Sequence, residues 1–167
     1  YAMAVELVRH SDSRLDRHQL IAFLNSYQTV APLTIGELWA WPSMIRLALL
    51  ENLRRLADEI LMARNARQAA DRFVSRLDDG GAYAAPDWPA RGFSAYVVQL
   101  LHRIRDHGPL LYAAQAAIDV ELEARHTTSD DVVREEHQRQ ATAQILVANV
   151  ITSLRLCSTL DWRQLFE

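Results

Sequence analysis

Glu123 and His126 stand three residues apart, a Glu-x-x-His spacing that projects a carboxylate and an imidazole from one helix face. A carboxylate-bridged di-iron site needs a second such pair and two more inward glutamates, and the sequence has no second Glu-x-x-His. The pair is expected at the surface, near a helix end. His137, in "REEHQRQ", lacks His-Glu-x-x-His spacing and sits among charges, which predicts a solvated face. Cys157 is the single cysteine, so the chain has no internal disulfide and no cysteine-rich zinc site; its apolar neighbours predict a buried, inert thiol. Ser43, Ser94 and Ser129 stand in helix-cap contexts rather than in a Gly-x-Ser-x-Gly elbow. The "DDGGAY" stretch lacks the Gly-Lys-Ser/Thr ending that cradles phosphate. No catalytic, cofactor-binding or metal-ligating residue is therefore expected.

Two amides stand out because they interrupt apolar stripes. Asn52 lies beside Ile45, Leu49, Leu53 and Leu56, and Asn149 lies among Ile145, Leu146, Val150 and Ser153. Burying an amide without partners is costly, so each should be hydrogen-bonded and should specify how its helix packs. Arg55 and Arg155, at comparable offsets, are candidate charged neighbours. Trp39 and Trp41 flank Ala40 just before Pro42, and the expectation is that both bury their rings in a packing joint. Tyr83 and Trp88 fall in a loop, where they could instead stack against a sugar ring.

The elements that must position these groups are helical throughout, with no alternation of period two. Residues 1–9 form a short helix. Ser11, Asp12 and Ser13 offer caps for a second, with Leu15, Leu20, Ile21, Phe23, Leu24 and Tyr27 on one face. Thr34 and Glu37 have capping-box spacing. Proline is disruptive inside a helix but tolerated in its first turn, so a short turn, Ile35 to Trp41, should bend into a long helix starting near Pro42. Its core stripe is Ile45, Leu49, Leu53, Leu56 and Ile60, widened by Leu47, Leu50, Ala57 and Leu61, with Arg54–Asp58, Glu51–Arg55 and Arg55–Glu59 spacings marking the solvent side. "DDGG" stops it, and "AYAAPDWPARG" is a loop. Ser94 caps a helix ending at Gly108, Pro109 opens another, Ser129 starts a long one reaching Leu156, and Asp161 caps a last turn. The fold class is all-α, an irregular or orthogonal bundle of six or seven helices forming one domain over residues 1–167.

Half of the 167 residues are hydrophobic and 23% are charged, enough apolar material for a sizeable core. All eighteen basic residues are arginine and they are outnumbered by twenty-one acids, a balance that gives nucleic acid no basic face to bind. No run approaches the roughly 20 uninterrupted apolar residues of a membrane span. The N-terminus lacks a basic flank with an apolar signal core, while a first residue other than Met and an unfinished helical run at Glu167 read as an excised piece.

The stretches "LTIGELWAWPSMIRLALLENLRRLA" and "REEHQRQATAQILVANVITSLRLCSTLDWRQLFE" resemble the N-terminal region of cyclic β-1,2-glucan synthases, with "LLYAAQAAIDVELEARHTTSDDVV" fitting more loosely between them. That resemblance implies a helical region of a very large bacterial membrane protein that polymerises glucose from UDP-glucose onto a protein-linked chain and releases a cyclic glucan. It places the region on the cytoplasmic side of the inner membrane, with the parent's other domains as partners. The acidic motifs of a glycosyltransferase and the paired carboxylates of a glycoside-cleaving domain are not in these residues, so the transferase activity is expected of the parent. Two functions follow: a non-catalytic scaffold or regulatory module, or a module that binds carbohydrate or nucleotide sugar through exposed aromatics.

Overall fold

The computed structural model describes residues 1–79, 85–107 and 112–166. Seven helices follow one another in these residues: α1 Ala2–His10, α2 Arg17–Gln28, α3 Ile35–Asp78, α4 Phe93–His107, α5 Tyr112–Ala124, α6 Ser129–Thr159 and α7 Trp162–Phe166. No strand occurs among the described residues, and the all-α class read from the sequence holds.

Helix starts follow side-chain chemistry. Asp16 caps α2 in a reciprocal box with Gln19, so Ser11–Asp12–Ser13 is a connecting turn instead of the cap. Thr34 and Glu37 form the expected box at α3, the Thr34 amide donating to the Glu37 carboxylate at 2.8 Å. For α6 the cap is Thr128, one residue before the expected Ser129, with its hydroxyl accepting from the Asp131 amide. Similarly, α4 starts from Gly92, whose carbonyl accepts from the Tyr96 amide, so Ser94 is already helical. Asp161 caps α7 as expected. The proposed stop at Gly80–Gly81 and the Gly108–Pro109 boundary lie outside the described residues.

α3 differs from the expectation most. It runs unbroken through Pro42 for 44 residues, so there is no separate short helix before the proline. The ring cannot donate to the Leu38 carbonyl, but Pro42 and Trp41 are both buried, and tertiary packing outweighs one missing backbone bond.

The chain forms two compact units, residues 1–57 with 142–167 and residues 58–141. The first is built around Leu20, Trp41, Ile45, Leu49, Leu56, Val150 and Cys157. Ala48 joins this core, whereas Leu47 and Leu50 point to solvent: at 3.6 residues per turn they fall on the flank opposite Ile45 and Leu56. The second unit packs Phe73, Val74, Val97, Leu100, Ile118 and Val132 with alanines 63, 66, 70, 95 and 114. Ala57, Ile60 and Leu61, placed by the sequence in the core stripe, are exposed. Gly92 lies at φ +76°, and a Cβ there would meet the Ala66 Cβ at 3.0 Å, so the chain entering α4 needs glycine for both conformation and clearance.

α6 holds an 18-residue window of mean hydropathy 1.2, long and apolar enough to cross a membrane by length and composition. The sequence reading, which required an uninterrupted apolar run, missed this average because Asn149, Ser153 and Arg155 break the run. Val150, Ser153 and Cys157 of the same helix are buried within the first unit.

Candidate functional site

In the first unit the polar side chains converge on the turn between α1 and α2. Asp12 and Ser13 adopt φ values of 48° and 60°, left-handed conformations that non-glycine residues hold only when their surroundings compensate. The compensation comes from two helices. Asn52 Nδ2 on α3 donates to the Ser13 hydroxyl at 2.6 Å, and Asn149 Nδ2 on α6 donates to the Asp12 carbonyl at 3.0 Å. Ser153, one turn after Asn149, donates its hydroxyl to the Ser13 carbonyl at 2.6 Å and accepts from the Leu15 amide at 2.9 Å. Ser13 and Ser153 are fully buried; the sequence reading named Ser13 only as a possible helix cap and Ser153 only as a neighbour of Asn149. The i, i+4 spacing of Asn149 and Ser153 was the available signal. Arg55 donates to the Asn52 side-chain oxygen at 2.9 Å, as its offset suggested. Arg155 is exposed and is not among the described partners of Asn149.

The two tryptophans before Pro42 part company. Trp41 is 4% exposed and stacks on Phe23, with ring centroids 5.9 Å apart and planes 7° from parallel. Its indole N–H is buried with no partner among the described residues. Trp39 is 62% exposed, so the expected joint of two buried rings is corrected to one. Residues two apart on a helix are about 200° apart, which sends one ring inward and the other outward. Trp88 is half-buried, its ring packed against Phe93 and Tyr96 at centroid distances of 5.9 Å, and so is not a free stacking platform. Tyr83 lies outside the described residues.

Cys157 is buried, and burial pushes its thiol up to about 11, against the opposing pull of the Arg46 charge. Its carbonyl is the functional part structurally, accepting from Arg46 at 2.6 Å and from the Trp162 indole at 3.0 Å, which ties α7 back to α6.

Among the described residues of the second unit one charge is fully buried. Glu136 has 0% exposure and accepts from Arg67 at 2.6 Å, from Arg139 at 2.5 and 3.0 Å and from Gln140 at 2.7 Å. Desolvation opposes ionisation, but the bonds from Gln140, Arg139 and Arg67 together hold the carboxyl below the usual glutamate range. The sequence reading of "REEHQRQ" as wholly solvated holds for His137 and fails for Glu136; Val132 and Glu136, four apart, share the inward face. Glu123 and His126 are both exposed, and no group of three potential metal ligands occurs among the described residues.

A cleft of about 590 Å³ opens on the second unit, lined by Asp71, Arg72, Arg76, Asp79, Asp87 and Tyr96 among others. Asp71 is anchored by Gln99 at 2.8 Å and by Arg103 at 3.5 Å. Tyr96 is itself buried; burial and the Asp87 charge raise its hydroxyl above the ordinary tyrosine value, and Arg76 pulls it back.

No protein-family model matches the chain. Its sequence is nevertheless similar to part of a cyclic β-1,2-glucan synthase, as the stretches around Trp39 and Asn149 suggest. The relative is the cyclic beta-(1,2)-glucan synthase NdvB of Rhizobium meliloti (strain 1021), 33% identical over 172 aligned residues. The alignment takes in 99% of this chain and spans 6% of the length of that much larger protein.

Proposed function

We propose that the chain is a non-catalytic helical module of a cyclic β-1,2-glucan synthase, which docks on the remaining domains of that protein at the cytoplasmic side of the bacterial inner membrane. The observation that carries this reading is a row of large apolar side chains left in solvent on α3. Ile35, Trp39, Leu47 and Leu50 are all exposed, and at 3.6 residues per turn they fall within about a third of the helix circumference. Such a patch on a helix whose other face already fills a core marks an interaction surface. The aligned stretch is 6% of the relative, so the bulk of a synthase is at hand to cover it. Meanwhile Asn52, Asn149, Ser153 and Glu136, the polar groups nearest the cores, have their bonds taken up by structural partners.

A synthase lacking this stretch, supplied with the chain as a separate polypeptide, tests the reading. The expected result is co-purification of the two and recovery of glucan output, while the chain alone transfers no glucose from UDP-glucose. Glucose incorporation by the chain alone, or failure of the two to associate, overturns it.

A further inference from the structure

Resting on the reading of the chain as a synthase module, we propose that the outer face of α6 seats an amphipathic helix from the remainder of the synthase, apolar along one stripe and carrying a carboxylate that pairs with Arg155. α6 contains a window apolar enough to span a membrane, yet only 17% of that window is buried. Val150, Ser153 and Cys157 face the interior of the first unit. Ile145, Ala148, Ile151, Thr152, Arg155 and Thr159 are all exposed, and at about 100° per residue they occupy roughly a third of the circumference on the opposite side. The two isoleucines are 61% and 44% exposed. Ile145, Ala148, Thr152, Arg155 and Thr159 follow one another at alternating spacings of three and four residues, the repeat that a facing helix engages. Ala148 and Thr152 in its middle are short enough to let a second helix axis come close.

The hydroxyls of this side have no need of water. Thr152 donates to the Ala148 carbonyl at 2.8 Å, Ser158 to the Leu154 carbonyl at 2.8 Å and Thr159 to the Arg155 carbonyl at 3.1 Å. Each is turned back onto its own helix, so a covering partner strands none of them. Arg155 is the exception, and it selects the occupant. Its guanidinium makes no hydrogen bond or ion pair among the described residues, and it is the single charge between Arg139 and Asp161. A second copy of this face brings no carboxylate to meet it, and lipid tails leave it without a counter-charge. A helix with an aspartate or glutamate in register supplies a charge-assisted, bidentate pair. The alignment spans 6% of the relative, which leaves ample chain to provide such a helix.

The test places photo-reactive benzoylphenylalanine at Ala148 of the intact synthase, and at Trp39 in a parallel sample. After irradiation, peptide mass spectrometry should join the Ala148 probe to a helical segment of the same polypeptide outside this module, one that holds a carboxylate. Arg155→Glu should lower that cross-link severalfold, and reversing the charge of the carboxylate in the joined segment should restore it. Cross-links from the Ala148 probe to lipid alone, to a second synthase alone or to nothing would overturn the proposal, as would a yield indifferent to Arg155→Glu. A joined Trp39 probe with a silent Ala148 probe sinks this inference and spares the α3 row; the converse sinks the row and spares α6. Thermal midpoints of the 167-residue chain carrying each change should stay within a few degrees of the unsubstituted chain, because Trp39, Ala148 and Arg155 are all exposed, and so separate lost contact from lost fold.

Discussion

The side-chain amide of Asn149 donates to the Asp12 carbonyl across 3.0 Å, fixing a turn 137 residues earlier in the chain. Asn52 reaches the next residue of the same turn from α3, so two helices converge on one strained connection. Replacing either asparagine by alanine should cost about 1–2 kcal/mol, because the partner group is stranded. Ser153→Ala should cost more than either, since the hydroxyl is fully buried and serves both the Ser13 carbonyl and the Leu15 amide. Urea midpoints of the three variants check the ranking, and an unchanged midpoint for Ser153→Ala would contradict it.

Trp41→Ala should lower stability by about 3–5 kcal/mol, the cost of emptying a buried aromatic site. Trp39→Ala should change the thermal midpoint of the isolated chain little, because its ring is already mostly in water. Equal shifts for the two would mean that α3 is rotated from the orientation described.

The Glu136 carboxyl is held below its unfolded value, so its contribution is present above the ordinary glutamate range and is lost as pH falls through the depressed folded value. Denaturant unfolding of the wild type and of Glu136→Gln as a function of pH is the measurement. The difference between them should be largest near neutral pH, on the order of 3 kcal/mol, and should shrink on acidification. A difference independent of pH would show that the carboxyl is not ionised in the folded chain.

Gly92→Ala adds a Cβ where φ is +76° and the nearest side-chain carbon lies at 3.0 Å. A loss of more than about 1 kcal/mol is expected from thermal melts. A neutral result would place the chain entering α4 farther from α3 than described.

Helix number, the two long helices, the capping box at Thr34 and the cap at Asp161 were legible because periodicity and cap chemistry are local. What the sequence hid was decided by tertiary partners. Pro42 reads as a helix start on local grounds, yet buried packing around Trp41 carries α3 through it. Trp39 and Trp41 look alike in sequence, and only the angular phase of α3 separates them. Asn52 and Asn149 were recognisable as amides on apolar stripes, but their target, the Asp12–Ser13 turn, is distant in sequence from both. Glu136 was hidden among charged neighbours because its partner Arg67 lies 69 residues away. The cleft escaped notice for the same reason: Arg76, Asp87 and Tyr96 form no motif until α3, α4 and the segment before it come together.

Trp39→Glu in the intact synthase is the most direct measurement of the docking role, read as cyclic glucan output against the thermal midpoint of the isolated chain carrying the same change. A charge placed on the exposed apolar row should sharply reduce glucan output while leaving that midpoint within a few degrees of the unsubstituted chain, because the ring contributes little to the module's own core. Full output from the Trp39→Glu synthase would contradict the docking role, since the row would then have no partner whose loss matters.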